Sequence, residues 1–133
     1  MKEERIKELI QELHKPGREG LQASTALAEI GAVAVMQLVR VLQDEEDDYA
    51  RKLAALSLGR IGKPAIEPLL KTIKSEDPLA RRYAVEALSH IRSEPRVLGA
   101  LFQARKDQNE QVRQAAWRAL ERLPARHMEK RMA

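Results

Sequence analysis

The chain has 133 residues, enough for one domain, with 3% aromatic side chains and no cysteine. The missing cysteine excludes disulfides, thiolate metal sites and a Cys nucleophile, and so few aromatics leave a core of small aliphatic side chains. The net charge of +4 hides an asymmetry: residues 1–48 carry six Lys/Arg against eleven Asp/Glu, a balance of −5, while residues 49–133 carry eighteen against nine, a balance of +9.

A charged fraction of 33%, with Ala, Leu, Glu, Lys, Arg and Gln prominent, predicts an all-α protein. No strand-like alternation and no Asn-Gly or Asp-Gly hairpin signal opposes this. No uninterrupted apolar run reaches the ~18 residues of a membrane span. Met1-Lys2-Glu3-Glu4-Arg5 leads into no apolar segment of a secretory signal. The expectation is a cytoplasmic protein with no membrane partner.

In chain order, residues 1–14 form a capping half-repeat with the apolar stripe Ile6, Leu9, Ile10 and Leu13, broken by Lys15-Pro16-Gly17. Residues 18–44 form a first two-helix repeat: Leu27, Ile30 and Gly31 close one helix, and Val35, Leu38, Val39 and Leu42 stripe the next. Residues 47–75 repeat this grammar most clearly. Asp47 or Asp48 caps a helix with Ala54, Ser57, Leu58 and Ile61 on one face. Gly62 ends it, Pro64 opens the second helix, and Ile66, Leu69, Leu70 and Ile73 give that helix its stripe. Ser75-Glu76-Asp77-Pro78 then caps a third repeat, residues 78–107, with Val97, Ala100, Leu101 and Ala104 in its second helix. Residues 109–123 are a last half-repeat stopped by Pro124, and 124–133 a short turn or frayed tail holding Met128 and Met132.

These units are copies. Arg51, Arg81 and Arg113 align, as do Leu58, Leu88 and Leu120, and Ile61, Ile91 and Leu123, at offsets of 30 and 32 residues. The upstream stripe aligns at an offset of 31, and the N-terminal stripe at 60. A fixed period of this size marks a solenoid, here about seven helices forming three to four repeats. Each repeat exposes an apolar face that only its neighbours cover. The polar side of the first helix, Lys2, Glu3, Glu4, Lys7, Glu8, Gln11 and Glu12, suits an end cap.

The motifs Ala50-Arg51, Leu58-Gly59-Arg60-Ile61-Gly62 and Pro64-Ala65-Ile66-Glu67-Pro68-Leu69-Leu70 resemble the HEAT-like repeats of the phycobilisome-lyase type, over residues 18–123. Two departures stand out: Gly20 replaces the arginine in the first repeat, and the third lacks the Leu-Gly-x-Ile-Gly close. The resemblance implies a right-handed α-α superhelix. It also implies that Arg51, Arg81 and Arg113 form a structural ladder pairing with acidic or carbonyl groups between repeats; the competing reading is an anion or nucleic-acid stripe. Family members include bilin lyases, a diiron hydroxylase and many small binding proteins. The diiron members carry His-Glu pairs, whereas His14 here is followed by Lys15 and His90 by Ile91, and His127 stands apart.

The run Asp44-Glu45-Glu46-Asp47-Asp48 lacks the alternating carboxylates, central Gly and final Glu of a calcium loop and suits a helix N-terminus. No catalytic triad order, phosphate loop or dinucleotide fingerprint appears. The expectation is therefore no catalytic residue, no metal and no cofactor.

The resemblance also implies that the second helix of each repeat lines the concave side. The exposed rows there read Gln37, Arg40 and Gln43, then Glu67, Lys71 and Lys74, then Leu98, Phe102 and Arg105. Arg40, Glu67, Lys71, Lys74, Leu98, Phe102 and Arg105 thus make a basic groove with an apolar anchor, the composition of a protein- or peptide-binding site. The other reading of Leu98 and Phe102 is that the tail covers them. Trp117, aligned with Ala55 and Val85, either fills space at the last repeat or contacts another subunit, and Arg118, Arg122, Arg126, Lys130 and Arg131 read as a solvated face.

The leading function is a non-enzymatic interaction module gripping an acidic protein or peptide on the concave face. Nucleic-acid binding through the basic C-terminal half is the alternative. A bilin lyase subunit or chaperone-like factor is a third, resting on resemblance alone.

Overall fold

The computed structural model describes residues 2–44, 46–91 and 94–122, with only the backbone of Asp44. Leu123, Pro124 and the tail residues Arg126, His127, Met128, Lys130, Arg131 and Met132 lie outside the described residues. The helices are α1 (Lys2–Glu12), α2 (Arg18–Ile30), α3 (Val35–Asp44), α4 (Asp48–Ile61), α5 (Ile66–Thr72), α6 (Pro78–Leu88), α7 (Pro95–Ala104) and α8 (Glu110–Glu121). Among the described residues there are thus eight α-helices, where the periodicity led to a count of about seven, and no strand.

Capping chemistry fixes where the helices begin. Asp47 Oδ1 accepts from the N–H groups of Tyr49 (2.9 Å) and Ala50 (3.2 Å) at the start of α4. Asp77 Oδ1 accepts from Leu79 (3.0 Å) ahead of α6, and Asn109 Oδ1 from Gln111 (2.8 Å) and Val112 (3.2 Å) ahead of α8. Each cap satisfies otherwise orphaned donors and is worth ~1 kcal/mol. Gly31 and Gly62 stop α2 and α4 at φ 81° and 80°, a left-handed backbone that a Cβ would strain. A short 3-10 turn then leads into α3 and α5.

The helices stack in two layers. α2, α4, α6 and α8 pack in succession as one, and α1, α3, α5 and α7 as the other. The core lies between them. Leu27, Leu58, Leu88 and Leu120 occupy one column of it and are all buried, as are Ala54, Ala84 and Ala116 in another. Small side chains let neighbouring helices close up: a Cβ on Gly59 of α4 would stand 3.0 Å from His90 Cβ. A buried polar clasp joins α2 to α4, with Ser24 Oγ and Ser57 Oγ 2.8 Å apart and Ser57 Oγ donating to the Ser24 carbonyl at 2.8 Å. The result is an all-α solenoid.

The helical residues 18–43 are, by length and composition, apolar enough to cross a membrane, which a count of uninterrupted apolar residues misses. The chain turns at Gly31, leaving α2 with 13 residues and α3 with 10. Each is short of the ~20 a bilayer span requires, and Leu27, Leu38 and Leu42 are buried against neighbouring helices.

Candidate functional site

Three cations of the second layer are exposed. Arg40 on α3, Lys71 on α5 and Lys74 just beyond it are exposed, and none makes an ion pair among the described residues. Lys74 edges a groove of about 450 Å³ between the α5 and α7 strips, walled by Leu70 and Ile73 on one side and Ala100, Gln103 and Ala104 on the other, with Asp107 at its end. Glu67 does not stand free: its carboxylate pairs with Arg96 Nη1 across the two helices, and Arg96 Nε donates to Glu94 at 3.2 Å. Both Arg96 and Glu67 side chains are more than half exposed, so the pair orients the helices more than it stabilises them.

Leu98, Phe102 and Arg105 lie elsewhere. Positions three and four apart share a helix face, so Arg96, Ala100, Gln103 and Asp107 turn toward α5, and Leu98, Phe102 and Arg105 occupy the opposite flank of α7. Leu98 and Phe102 are half-buried and pack against the core. The Arg105 guanidinium lies 4.8 Å from the Phe102 ring centroid and 5.0 Å from that of Trp117 on α8, a cation–π bridge between the last two helices. Arg40, Lys71 and Lys74 are thus exposed on helices of the second layer, while Leu98, Phe102 and Arg105 lie on the flank of α7 away from α5.

Sequence reasoning missed two surface residues. Gln37 is half-buried, and Met36, which shares the offset of 31 with Glu67 and Leu98, is 54% exposed beside Val33 at 51%. The exact offset was the available signal, and it points to Met36. On the other layer, Leu21, Tyr49, Lys52, Leu56, Glu86, His90 and Arg122 line a hollow of about 350 Å³.

The aligned arginines sit along one edge, where the second helices hand over to the first. Arg51 Nη2 lies 3.4 Å from Asp77 Oδ2. Arg81 Nε and Nη2 donate to Asp107 Oδ2 and Oδ1, both at 3.0 Å. Arg113 Nη1 donates to the carbonyls of Asp107 (2.8 Å) and Gln108 (2.9 Å). In the first repeat, where Gly20 replaces the arginine, a Cβ would stand 2.5 Å from the Lys15 carbonyl and 3.0 Å from Leu53, so no side chain fits. His14 at the end of α1 meets Asp47 instead, Nδ1 to Oδ2 at 3.1 Å. Burial raises the carboxyl pKa of Asp47, but the Ala50 N–H, His14 and the Tyr49 N–H outweigh it, and the net shift is downward. Asp107 likewise ends below the usual carboxylate range: burial raises it, and the Arg81 hydrogen bonds, the Asn109 N–H and the charges of Arg81 and Arg113 more than reverse that. Among the described residues no three of His, Asp and Glu converge on a point that would hold a metal.

Two stacked helical layers, short turns and an arginine–aspartate edge define an α-helical repeat protein. Residues 66–129, just under half of the chain, match the family model for HEAT repeats, which supports a HEAT-like repeat protein. Such repeats generally mediate protein–protein interaction and typically serve as non-enzymatic scaffolds. No curated protein matches the chain.

Proposed function

We propose that the chain is a non-enzymatic module that holds an acidic protein or peptide segment against the second layer, in the groove between α5 and α7. The observation that carries this reading is exposed Lys74, without an ion pair among the described residues, at the rim of a groove with apolar walls, with Arg40 and Lys71 exposed on the same layer. Charge at the rim steers and selects a partner, while Leu70, Ile73 and the alanines of α7 supply the surface that excludes water. Val33 in the turn before α3 and Met36 on α3 add exposed apolar surface to the same layer.

The test is a pull-down from cell extract with the wild-type protein and a Lys71→Glu/Lys74→Glu variant, eluted in salt steps. A protein retained by the wild type and lost from the variant, at unchanged melting temperature, is the expected outcome. Equal retention by both removes the groove as the binding site. Nucleic acid released from the wild type with a steep log–log salt dependence would transfer the function to phosphate binding.

A further inference from the structure

The walls of the groove between α5 and α7 decide the form its occupant takes. Glu67 near the start of α5 meets Arg96 near the start of α7, and Lys74 and Asp107 line the groove just beyond the two helix ends. The helices therefore run parallel, with the groove between their later halves. Leu70 and Ile73 form one wall, and Ala100, Gln103 and Ala104 the other. From Ala100 to Asp107 the wall covers about 10 Å at the helical rise, or two turns.

Both walls are helix surfaces, whose main-chain N–H and C=O groups bond along their own axes and offer nothing sideways. A segment lying there in extended form brings an N–H and a C=O with every residue, and those facing the groove need partners. Among the described residues that line it, Gln103 holds the one side-chain amide. Asp107 is held by Arg81 in two bonds, and Gln43 on the neighbouring α3 donates to Thr72 Oγ1 at 3.2 Å. A helix satisfies its own main chain and asks the groove only for apolar contact. Ala100 and Ala104 stand one turn apart and carry single methyl groups, which leaves depth for the side chains of a facing helix.

The two ends differ in charge. At one, Glu67 and Arg96 already match each other. At the other, Lys74 is exposed and makes no ion pair among the described residues. We propose that the occupant of this groove is an amphipathic helix of a partner protein, which lays two turns of apolar side chains on Leu70, Ile73, Ala100 and Ala104 and turns an acidic residue to Lys74. This rests on the reading of the groove as a protein-binding site and adds the form and polarity of what it binds.

The probes are capped synthetic peptides of about 16 residues, long enough to hold a helix. The first sets its leucines at helical spacing with a glutamate one turn beyond them. The second has the same composition with the leucines at alternate positions, so that they share a face only when the chain is extended. The third is the first with glutamine for glutamate. Each is titrated into the full-length chain carrying 13C-methyl labels on alanine and isoleucine. The expected result is a saturable shift of the Ile73, Ala100 and Ala104 methyl resonances with the first peptide. Binding should be at least tenfold weaker for the second and third peptides, and for the first peptide on a Lys74→Glu chain of unchanged helicity. Equal or tighter binding of the alternating peptide, equal binding of the glutamine peptide, or no saturable response at millimolar peptide each overturns the proposal. The pull-down with the Lys71→Glu/Lys74→Glu variant separates the two failures. A partner lost from that variant while the helical peptide fails keeps the groove and removes its helical occupant. Equal retention there with no peptide bound here removes the groove itself.

Discussion

Arg81 and Asp107 show how much one side-chain pair does here. Their side chains are each 16% exposed, sheltered enough for two charge-assisted bonds to count. Asp107→Asn keeps the size but loses the charge, and should cost about 1–3 kcal/mol at neutral pH, read as a lowered urea midpoint at unchanged slope. The pH dependence has a definite sign. The Asp107 and Asp47 carboxyls sit below their unfolded value of 3.8 in the folded chain, so the stability they contribute is complete above that value. It disappears as pH falls through the lower folded values. The gap in melting temperature between wild type and Asp107→Asn should therefore hold from pH 7 to about pH 4 and narrow below it. The alignment of Arg51, Arg81 and Arg113 was legible in the sequence because it recurs at nearly fixed spacing. The His14–Asp47 contact was not, because it replaces an arginine with a residue from a different helix, and only the close approach at Gly20 makes that exchange necessary.

At the scale of the element, the boundaries follow from short signals that are easily read: Asp47, Asp77-Pro78 and Asn109 at helix starts, Gly31 and Gly62 at helix ends. Gly62→Ala forces a Cβ into a φ of 80° and should destabilise by about 1–2 kcal/mol. A matching loss is expected at Gly31, whereas at Gly59 the backbone angle is ordinary and any loss comes from packing, against His90 Cβ at 3.0 Å and the Ala87 carbonyl at 3.2 Å. Thermal melts of the single variants separate the two causes. Which flank of a helix meets which neighbour was harder to read. Leu98, Phe102 and Arg105 align with Glu67, Lys71 and Lys74, yet among the described residues one trio borders the next helix of its layer and the other does not. Alignment reports position within a repeat, while partnership depends on what stands next to it.

The whole molecule is a linear stack, and its stability is a sum over neighbours more than a property of one centre. Among the described residues, α4 and α6 have first-layer helices on both sides, whereas α8 has one on a single side. Hydrogen exchange followed by mass spectrometry should therefore show the slowest amides in α4 and α6 and earlier exchange in α1 and α8. Uniform protection from α1 to α8 would mean that the stack opens as one unit. The two-layer architecture was legible because the stripes at 35–42, 66–73 and 97–104 repeat the spacing of α1. The surface chemistry was only partly so, since charges on a solenoid are shared out between partners, rungs and solvent by geometry that no single repeat contains.

The ion pairs along the turn edge have a mechanical side. His14–Asp47, Arg51–Asp77 and Arg81–Asp107 bridge successive repeats at one border of the sheet of helices, while the border at Gly31 and Gly62 is held by backbone turns within each repeat. A bending load should therefore meet cross-repeat ties on one margin and intra-repeat turns on the other. Bending should then open the space between α5 and α7 from the border opposite the Arg81–Asp107 pair, as the pages of a book open away from the spine.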